Sequence, residues 1–221
     1  MNTTNMFEKI RKPLVVLLLM ASVGGTIFIE LETKFLMPSV VGDSLSSTWF
    51  CPGVPARDVK VKSEIVIANP TQTPITGTIT LLSSEEPATS STLIVAPLSR
   101  GVFDATGGHK SQFISAIIEL DSGQASVEQR IIHLAGDSVA LCANETSDRW
   151  FFADGFTGAE SDFDILLTNP FPDSTVVDLS FVTTDGKRQP ALLKGIVLRG
   201  QSVTGISMGE QGARNESVLA V

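Results

Sequence analysis

Apolar and polar residues alternate along much of the chain in a way that predicts short β-strands. Within 78–81, the apolar residues Ile79 and Leu81 fall on one side of an extended chain and the two threonines on the other. This period of two is typical of a strand with one buried face. Polar turns separate such segments, for example at 121–123. Short strands with this spacing predict an all-β sandwich.

The strand pattern occurs twice along the chain. Residues 65–70 (Ile-Val-Ile-Ala-Asn-Pro) align with 165–170 (Ile-Leu-Leu-Thr-Asn-Pro), and 78–85 aligns with 178–185 without a gap. In each copy an apolar strand ends at Asn-Pro, because proline has a fixed φ and no N–H to continue the ladder. The pattern then predicts a hairpin.

Two copies of one unit predict two tandem immunoglobulin-like β-sandwich units, at 47–145 and 146–221. The second unit is shorter and has no counterpart of residues 121–142. We therefore expect an incomplete second copy. Its strand edge would be covered by the first copy, by a partner or by further chain, since an open edge promotes aggregation.

The N-terminal segment has the pattern of a membrane anchor. Residues 1–12 are basic, and an apolar run follows within 13–31, at the lower edge of the roughly 17–25 residues that cross a bilayer. The positive-inside rule predicts a single-pass plasma-membrane protein with a cytoplasmic N-terminus, a linker at 32–46 and extracytoplasmic domains beyond it. A cleaved signal peptide is the alternative, although 21–23 matches a cleavage site only loosely. A buried core helix is the less favoured alternative.

The chain has two cysteines, Cys51 and Cys142, and no CxxC motif. Outside the cytoplasm a single disulfide between them is expected, since reducing compartments keep thiols free. Two buried free thiols are the alternative.

A family resemblance rests on the blocks 49–53 (Trp-Phe-Cys-Pro-Gly), 150–155 (Trp-Phe-Phe-Ala-Asp-Gly) and 179–186, together with the Asn-Pro turns. From about Ser47 onward the chain resembles a family of actinobacterial secreted or membrane-anchored proteins defined by a domain of unknown function. The resemblance implies a cell-envelope location. It implies no activity and no catalytic residues.

The net charge and the motifs argue against two classes of function, nucleic-acid binding and catalysis. The net charge of −8, with no basic cluster beyond the N-terminus, argues against nucleic-acid binding, which requires neutralising phosphates. The sequence has no nucleophile motif, P-loop or dinucleotide fingerprint, so we expect no enzyme and no cofactor.

Metal binding has weak support in the sequence. His109, in a Gly-rich turn, and His133, in a predicted strand, have no further ligand beside them at metal-binding spacing. An acidic loop before the strand at Ile165 has oxygens that suit Ca²⁺, but a solvated loop is the commoner explanation. Its acidic residues are Asp154, Glu160, Asp162 and Asp164.

Aromatic residues form the remaining candidate site. They are Trp49 and Phe50 in the first copy, and Trp150, Phe151, Phe152 and Phe156 in the second. Their recurrence favours packing, whereas exposed rings would favour stacking on sugars or anchoring an interface. We therefore expect a non-enzymatic, membrane-anchored envelope protein that acts as a scaffold or protein-interaction module. The alternative is a module that binds carbohydrate or cell-wall polymer through exposed aromatics.

Overall fold

A computed structural model describes residues 46–221 except 59, 107–110, 154, 159–160, 212, 215 and 217–219. The predicted n-region, membrane anchor and nearly all of the linker lie outside the described residues. Within the described part of the chain, no helix is long and apolar enough to cross a bilayer. The helical structure there is a 3-10 turn at Ala191–Leu193.

Eight strands form the first repeat, in two sheets. They are β1 (Ser47–Pro55), β2 (Lys62–Asn69), β3 (Ile75–Ser83), β4 (Thr89–Val95), β5 (Ser99–Asp104), β6 (Phe113–Leu120), β7 (Ser126–Ile132) and β8 (Ser138–Leu141). One sheet has the order β5-β2-β7-β8, and in the other β6 lies between β1 and β3 while β4 pairs with β3. The predicted all-β fold is confirmed, and its layers are arranged as in a sandwich.

The core of the first repeat lies between these two sheets. Ile65 and Ile67 of β2 and Ile118 of β6 are completely buried in it. Burying each such side chain stabilises the fold by about 1.5–3 kcal/mol, before losses of conformational entropy. The apolar run at 65–67 and the strand at 113–120 therefore supply part of the inner faces of the two sheets.

The hairpin predicted after Asn-Pro is wrong. β2 pairs with β5 and β7, whereas β3 pairs with β4 and β6. The turn at 70–74 therefore carries the chain from one sheet to the other. Alternation specifies which side chains of a strand are buried, but not which strand is its neighbour, because both sheets bury their inner faces in one core.

The side chain of Asn69 fixes this crossing. Its Nδ2 donates to the carbonyl oxygens of Thr73 (2.9 Å), Val95 (3.1 Å) and Ala96 (3.0 Å). Its Oδ1 accepts the backbone N–H of Thr71 at 2.9 Å. We call this arrangement the Asn corner. It links the β2–β3 turn to the β4–β5 turn through hydrogen bonds. It also provides hydrogen-bond partners for the polar atoms of a side chain that is 2% exposed.

The second repeat uses the same scheme in shorter strands. These are β9 (Asp164–Asn169), β10 (Thr175–Val177), β11 (Phe181–Thr183), β12 (Gly186–Arg188), β13 (Ile196–Leu198) and β14 (Ser202–Ser207). Asn69 faces Ser99 where β2 pairs with β5, and Asn169 faces Ser202 where β9 pairs with β14. β10 pairs with β13 as β3 pairs with β4. The sequence repeat is therefore also a repeat of strand pairing.

The Asn corner recurs at Asn169. Its Nδ2 donates to the carbonyl oxygens of Asp173 (2.8 Å) and Leu198 (3.3 Å), and its Oδ1 accepts the N–H of Phe171 at 3.2 Å. Like Asn69, Asn169 is 2% exposed. The asparagine of each Asn-Pro pair thus has one structural role in both repeats.

Each corner also holds one residue in the left-handed region. Leu98 has φ 50° and Gln201 has φ 49°, a backbone conformation that side chains with a Cβ rarely adopt. The N–H of Leu98 donates to Thr71 O at 2.9 Å, and that of Gln201 to Phe171 O at 2.8 Å. These equivalent hydrogen bonds hold both turns in the unusual backbone conformation.

The two repeats contact each other closely within residues 43–221, which form one compact unit. Ser202 of β14 pairs in parallel with Ser83 at the end of β3. A Cβ at Gly205 would lie 2.2 Å from the Phe113 ring, and one at Gly53 would lie 3.0 Å from Leu166. Glycine at 205 and 53 therefore allows β14 and β9 to approach the first repeat.

Candidate interaction surface

The predicted disulfide is confirmed. Cys51 in β1 and Cys142, just after β8, are bonded with their Cα atoms 4.4 Å apart. Neither cysteine is free, so the alternative of two free thiols is wrong. Because β1 and β8 belong to different sheets, the bond joins the two layers of the first repeat.

The aromatic pair of the first repeat packs on the fold. Trp49 and Phe50 lie on β1 and are half-buried, and Trp49 contacts the core between the sheets. The indole Nε1 of Trp49 donates to Ser47 Oγ at 3.1 Å. The backbone of Phe50 exchanges hydrogen bonds of 2.7 and 2.9 Å with Ala143. This geometry leaves little of the surface of either ring exposed for contact with a ligand.

The aromatic residues of the second repeat are exposed. Trp150 is 55% exposed and Phe151 83%, and both lie outside the strands. Phe152 and Phe156 are less exposed, at 36% and 43%. We call residues 150–152 the aromatic segment. Its large apolar rings face solvent, in contrast to their counterparts on β1.

The aromatic segment is held in place from both sides. On one side, Trp150 Nε1 donates to Ser147 O at 3.1 Å, and Ser147 Oγ accepts the N–H of Arg149 at 3.1 Å. On the other side, the backbone of Phe152 exchanges two hydrogen bonds of 2.7 Å with Val221. A segment positioned in this way loses less conformational entropy on binding than a free loop does.

The candidate metal ligands are not brought together in the described part of the chain. There, no group of three or more His, Cys, Asp or Glu side chains is placed to hold a metal ion. His133 follows β7 instead of lying in the predicted strand, and its Nδ1 accepts the N–H of Ala135 at 3.1 Å. Of the acidic loop, Asp162 and Asp164 are described. His109, Asp154 and Glu160 lie outside the described residues.

Charged side chains on the outer face of β2 and β7 form solvent-exposed ion pairs. Lys62 Nζ lies 2.7 Å from Glu64 Oε1, and the hydrogen bond and charge of Glu64 raise the pKa of Lys62. Arg130 Nη2 lies 2.7 Å from Asp137 Oδ2, and this carboxylate raises the pKa of Arg130 in the same way. Exposed pairs of this kind contribute little to stability. These two pairs therefore give no sign of a binding site.

Sequence patterns do not single out Val221, which neighbours the aromatic segment, or Val182, which lies one pairing further away. Val182 pairs with Ala220, and Val221 with Phe152. Their positions are set by backbone pairing between distant parts of the chain, which leaves no periodic signal in the sequence. The repeat alignment was the one sequence signal for the pairing of Val182. Residues 181–183 of β11 align with 81–83 of β3, and β3 pairs with β6 as well as with β4.

Comparisons with known proteins identify no family for the chain. No protein-family model matches it, and no curated protein does either. A solved structure from Thermotoga maritima, described as "Crystal Structure of Thermotoga maritima 1070", shares 14% identity with a TM-score of 0.39. It covers 45% of this chain and 94% of its own. A likeness at that TM-score bears on neither fold nor function.

Proposed function

We propose that this is a non-enzymatic, membrane-anchored protein of the cell envelope that binds another envelope protein through the aromatic segment. The observation that carries the proposal is the exposure of Trp150 and Phe151 in a segment held by hydrogen bonds at both ends. Trp and Phe offer large apolar areas with few rotatable bonds, and Trp is enriched among interface hot spots.

The envelope location has its own support. A basic n-region and apolar run at 13–31 would leave the N-terminus in the cytoplasm and export the rest. A buried disulfide suits an oxidising compartment outside the cytoplasm. Both features agree with the cell-envelope location implied by the resemblance to the actinobacterial family.

We infer tandem immunoglobulin-like units at 47–145 and 146–221. Support comes from the matching registers of β2 with β5 and of β9 with β14. In such a pair the first unit would act as the disulfide-clamped scaffold, and the second would present the contact surface.

Site-specific photo-crosslinking in intact cells tests the protein-binding function. A photoreactive residue replacing Phe151 should yield an adduct with one envelope protein. The same residue at Leu134, which is 88% exposed in the first repeat, should yield none. Trp150→Ala should strongly reduce the adduct at 151, since losing a hot spot of about 2 kcal/mol weakens affinity roughly thirtyfold. Equal adducts at both positions would contradict the proposal.

A carbohydrate-binding function is the second candidate, and the exposed indole of Trp150 favours it because indole faces stack on sugar rings. Co-sedimentation with insoluble cell-wall polysaccharide separates the two functions. Pelleting that Trp150→Ala abolishes would support carbohydrate binding, especially if photo-crosslinking at 151 yields no protein adduct.

A further inference from the structure

Strand β4 forms a free edge of the sheet that also contains β1, β6 and β3. It is seven residues long and pairs with β3 without a register shift. No described strand pairs with its other side. Residues 89–92 and Ile94 are exposed, Ile94 to 69%, whereas Leu93 and Val95 belong to the core between the sheets.

The backbone hydrogen bonds show which groups of β4 are unpaired. Asp121 N–H donates to Thr76 O at 3.0 Å, so Thr76 directs its backbone toward β6. Because this direction alternates along a strand, Gly77 directs its backbone toward β4, where it faces Leu93. The alternate residues of β4 therefore direct their N–H and C=O groups toward the free side. They are Ser90, Thr92 and Ile94, and we call their unpaired backbone groups the β4 edge.

Free strand edges are usually protected from pairing with another chain by charges, prolines, bulges or short length. In the first repeat, β5 carries the charged residues Arg100 and Asp104. β1 contains Pro52 and Pro55 together with a register shift, and β8 has four residues. β4 has none of these features. It is therefore the edge of the first repeat that is open to pairing with another chain.

We propose that the β4 edge pairs with the β4 edge of a second copy of this chain, antiparallel about a two-fold axis at Thr92. Ser90 would face Ile94 of the second copy, and Thr92 would face its own counterpart. All three positions direct N–H and C=O groups toward the free side, so each facing pair can exchange both backbone hydrogen bonds. The inference goes beyond the proposed function, because β4 belongs to the first repeat and the aromatic segment to the second.

Charge favours a second copy as the occupant of the β4 edge. The chain has a net charge of −8, so two copies repel each other over much of their surfaces. β4 has no charged residue, and the two-fold axis places threonine opposite threonine, which is a favourable cross-strand pair. Two-fold dimers are also the commonest assemblies of identical chains.

The side chains of β4 do not favour a strand from a different protein. A partner that adds a strand is selected by pockets for its alternate side chains. Ser90 and Thr92 are small and exposed, so they form no walls for such a pocket. Pairing between two copies needs no pocket, because the two edges present the same backbone groups in matching register.

Sedimentation velocity of the full-length protein in detergent tests the inference. The unmutated protein should form dimers as its concentration is raised. Thr92→Lys and Thr92→Glu should each weaken association by at least about tenfold, because like charges then face each other across the axis. A one-to-one mixture of the two variants should restore dimers, since opposite charges then face each other. Restoration also shows that both variants are folded.

Val139→Lys is the matched control, because Val139 is 61% exposed on β8 in the other sheet. It should dimerise as the unmutated protein does. In native membranes, Thr92→Cys should form a disulfide-linked dimer under mild oxidation. Facing residues of a hydrogen-bonded antiparallel pair have Cα atoms about 5.5 Å apart, which suits a disulfide. Leu134→Cys, at a position 88% exposed in the first repeat, should form far less of it.

Three results would overturn the inference. Equal dimerisation of Thr92→Lys and the unmutated protein would assign the contact to another surface, such as the N-terminal segment. A mixture of Thr92→Lys and Thr92→Glu that stays monomeric would exclude the antiparallel register at Thr92. A monomer at every concentration, with no more cross-linking at 92 than at 134, would exclude the dimer itself.

Discussion

Replacing both cysteines, as Cys51→Ala with Cys142→Ala, is expected to lower the free energy of unfolding by about 4–5 kcal/mol. The bond closes a loop with a sequence separation of 91, and in the chain-entropy model a loop of this size restricts the unfolded state by about that amount. Because the two cysteines join different sheets, their loss also removes the covalent link between layers. Urea unfolding followed by tryptophan fluorescence measures the change.

Reduction of the unmutated protein provides the matched control. Dithiothreitol should lower its stability to that of the double variant and leave the double variant unchanged. A loss below about 1 kcal/mol in the double variant would mean that the disulfide does little for the fold, contrary to the chain-entropy expectation.

Asn69→Ala is expected to lower the free energy of unfolding by about 2–4 kcal/mol. The substitution removes the two N–H groups of Nδ2, which three carbonyl oxygens share, and leaves these oxygens without their partner where the two turns meet. Each buried polar group left unsatisfied costs about 1–3 kcal/mol. Asn169→Ala should have a smaller effect, because Asn169 Nδ2 donates to two carbonyl oxygens.

Gln72→Ala is the control for the Asn corner, since Gln72 is exposed in the same turn. Its effect should stay within about 0.5 kcal/mol, as is usual for surface substitutions. Urea unfolding of all three variants provides the comparison. Similar stabilities for Asn69→Ala and Gln72→Ala would show that the corner does not hold the β2–β3 crossing.

The sequence predicts strands well where one face is buried. The apolar run of 65–67 identifies a strand whose inward residues Ile65 and Ile67 are buried. In 78–81, Ile79 is buried and Leu81 is partly buried against the same core. The predicted strand at 113–120 matches β6. Strand partners are harder to predict, because β2 and β3 follow each other in the chain yet lie in different sheets. Local pattern does not encode that choice.

The Asn corner shows how much a short motif conveys. Asn-Pro predicts a turn, because proline ends the strand. It does not reveal that Asn69 Nδ2 reaches Val95 O and Ala96 O in another turn. Contacts of this kind depend on how the sheets pack. The recurrence of Asn-Pro at 169–170 is the one sequence sign that the asparagine has a structural role.

Burial of the aromatic residues is the feature that the sequence predicts least well. Recurrence of aromatic residues at one position of the repeat favours the same packing in both copies. Trp49 is half-buried beside β6, whereas its counterpart Phe151, which lies outside the strands, is 83% exposed. A side chain's burial in a sheet depends on the adjacent strand as much as on its own strand. The alignment of 49–53 with 151–155 does not contain that information.

We propose that the region after the apolar run acts outside the cytoplasm as a disulfide-clamped β-protein. The most direct test is thiol labelling of the full-length protein in its native cells, with thiol exchange quenched by acid before denaturation. A maleimide-polymer reagent should add nothing without reductant, and should add to both Cys51 and Cys142 after reduction. Labelling of both cysteines before reduction would place the protein in a reducing compartment and contradict the claim.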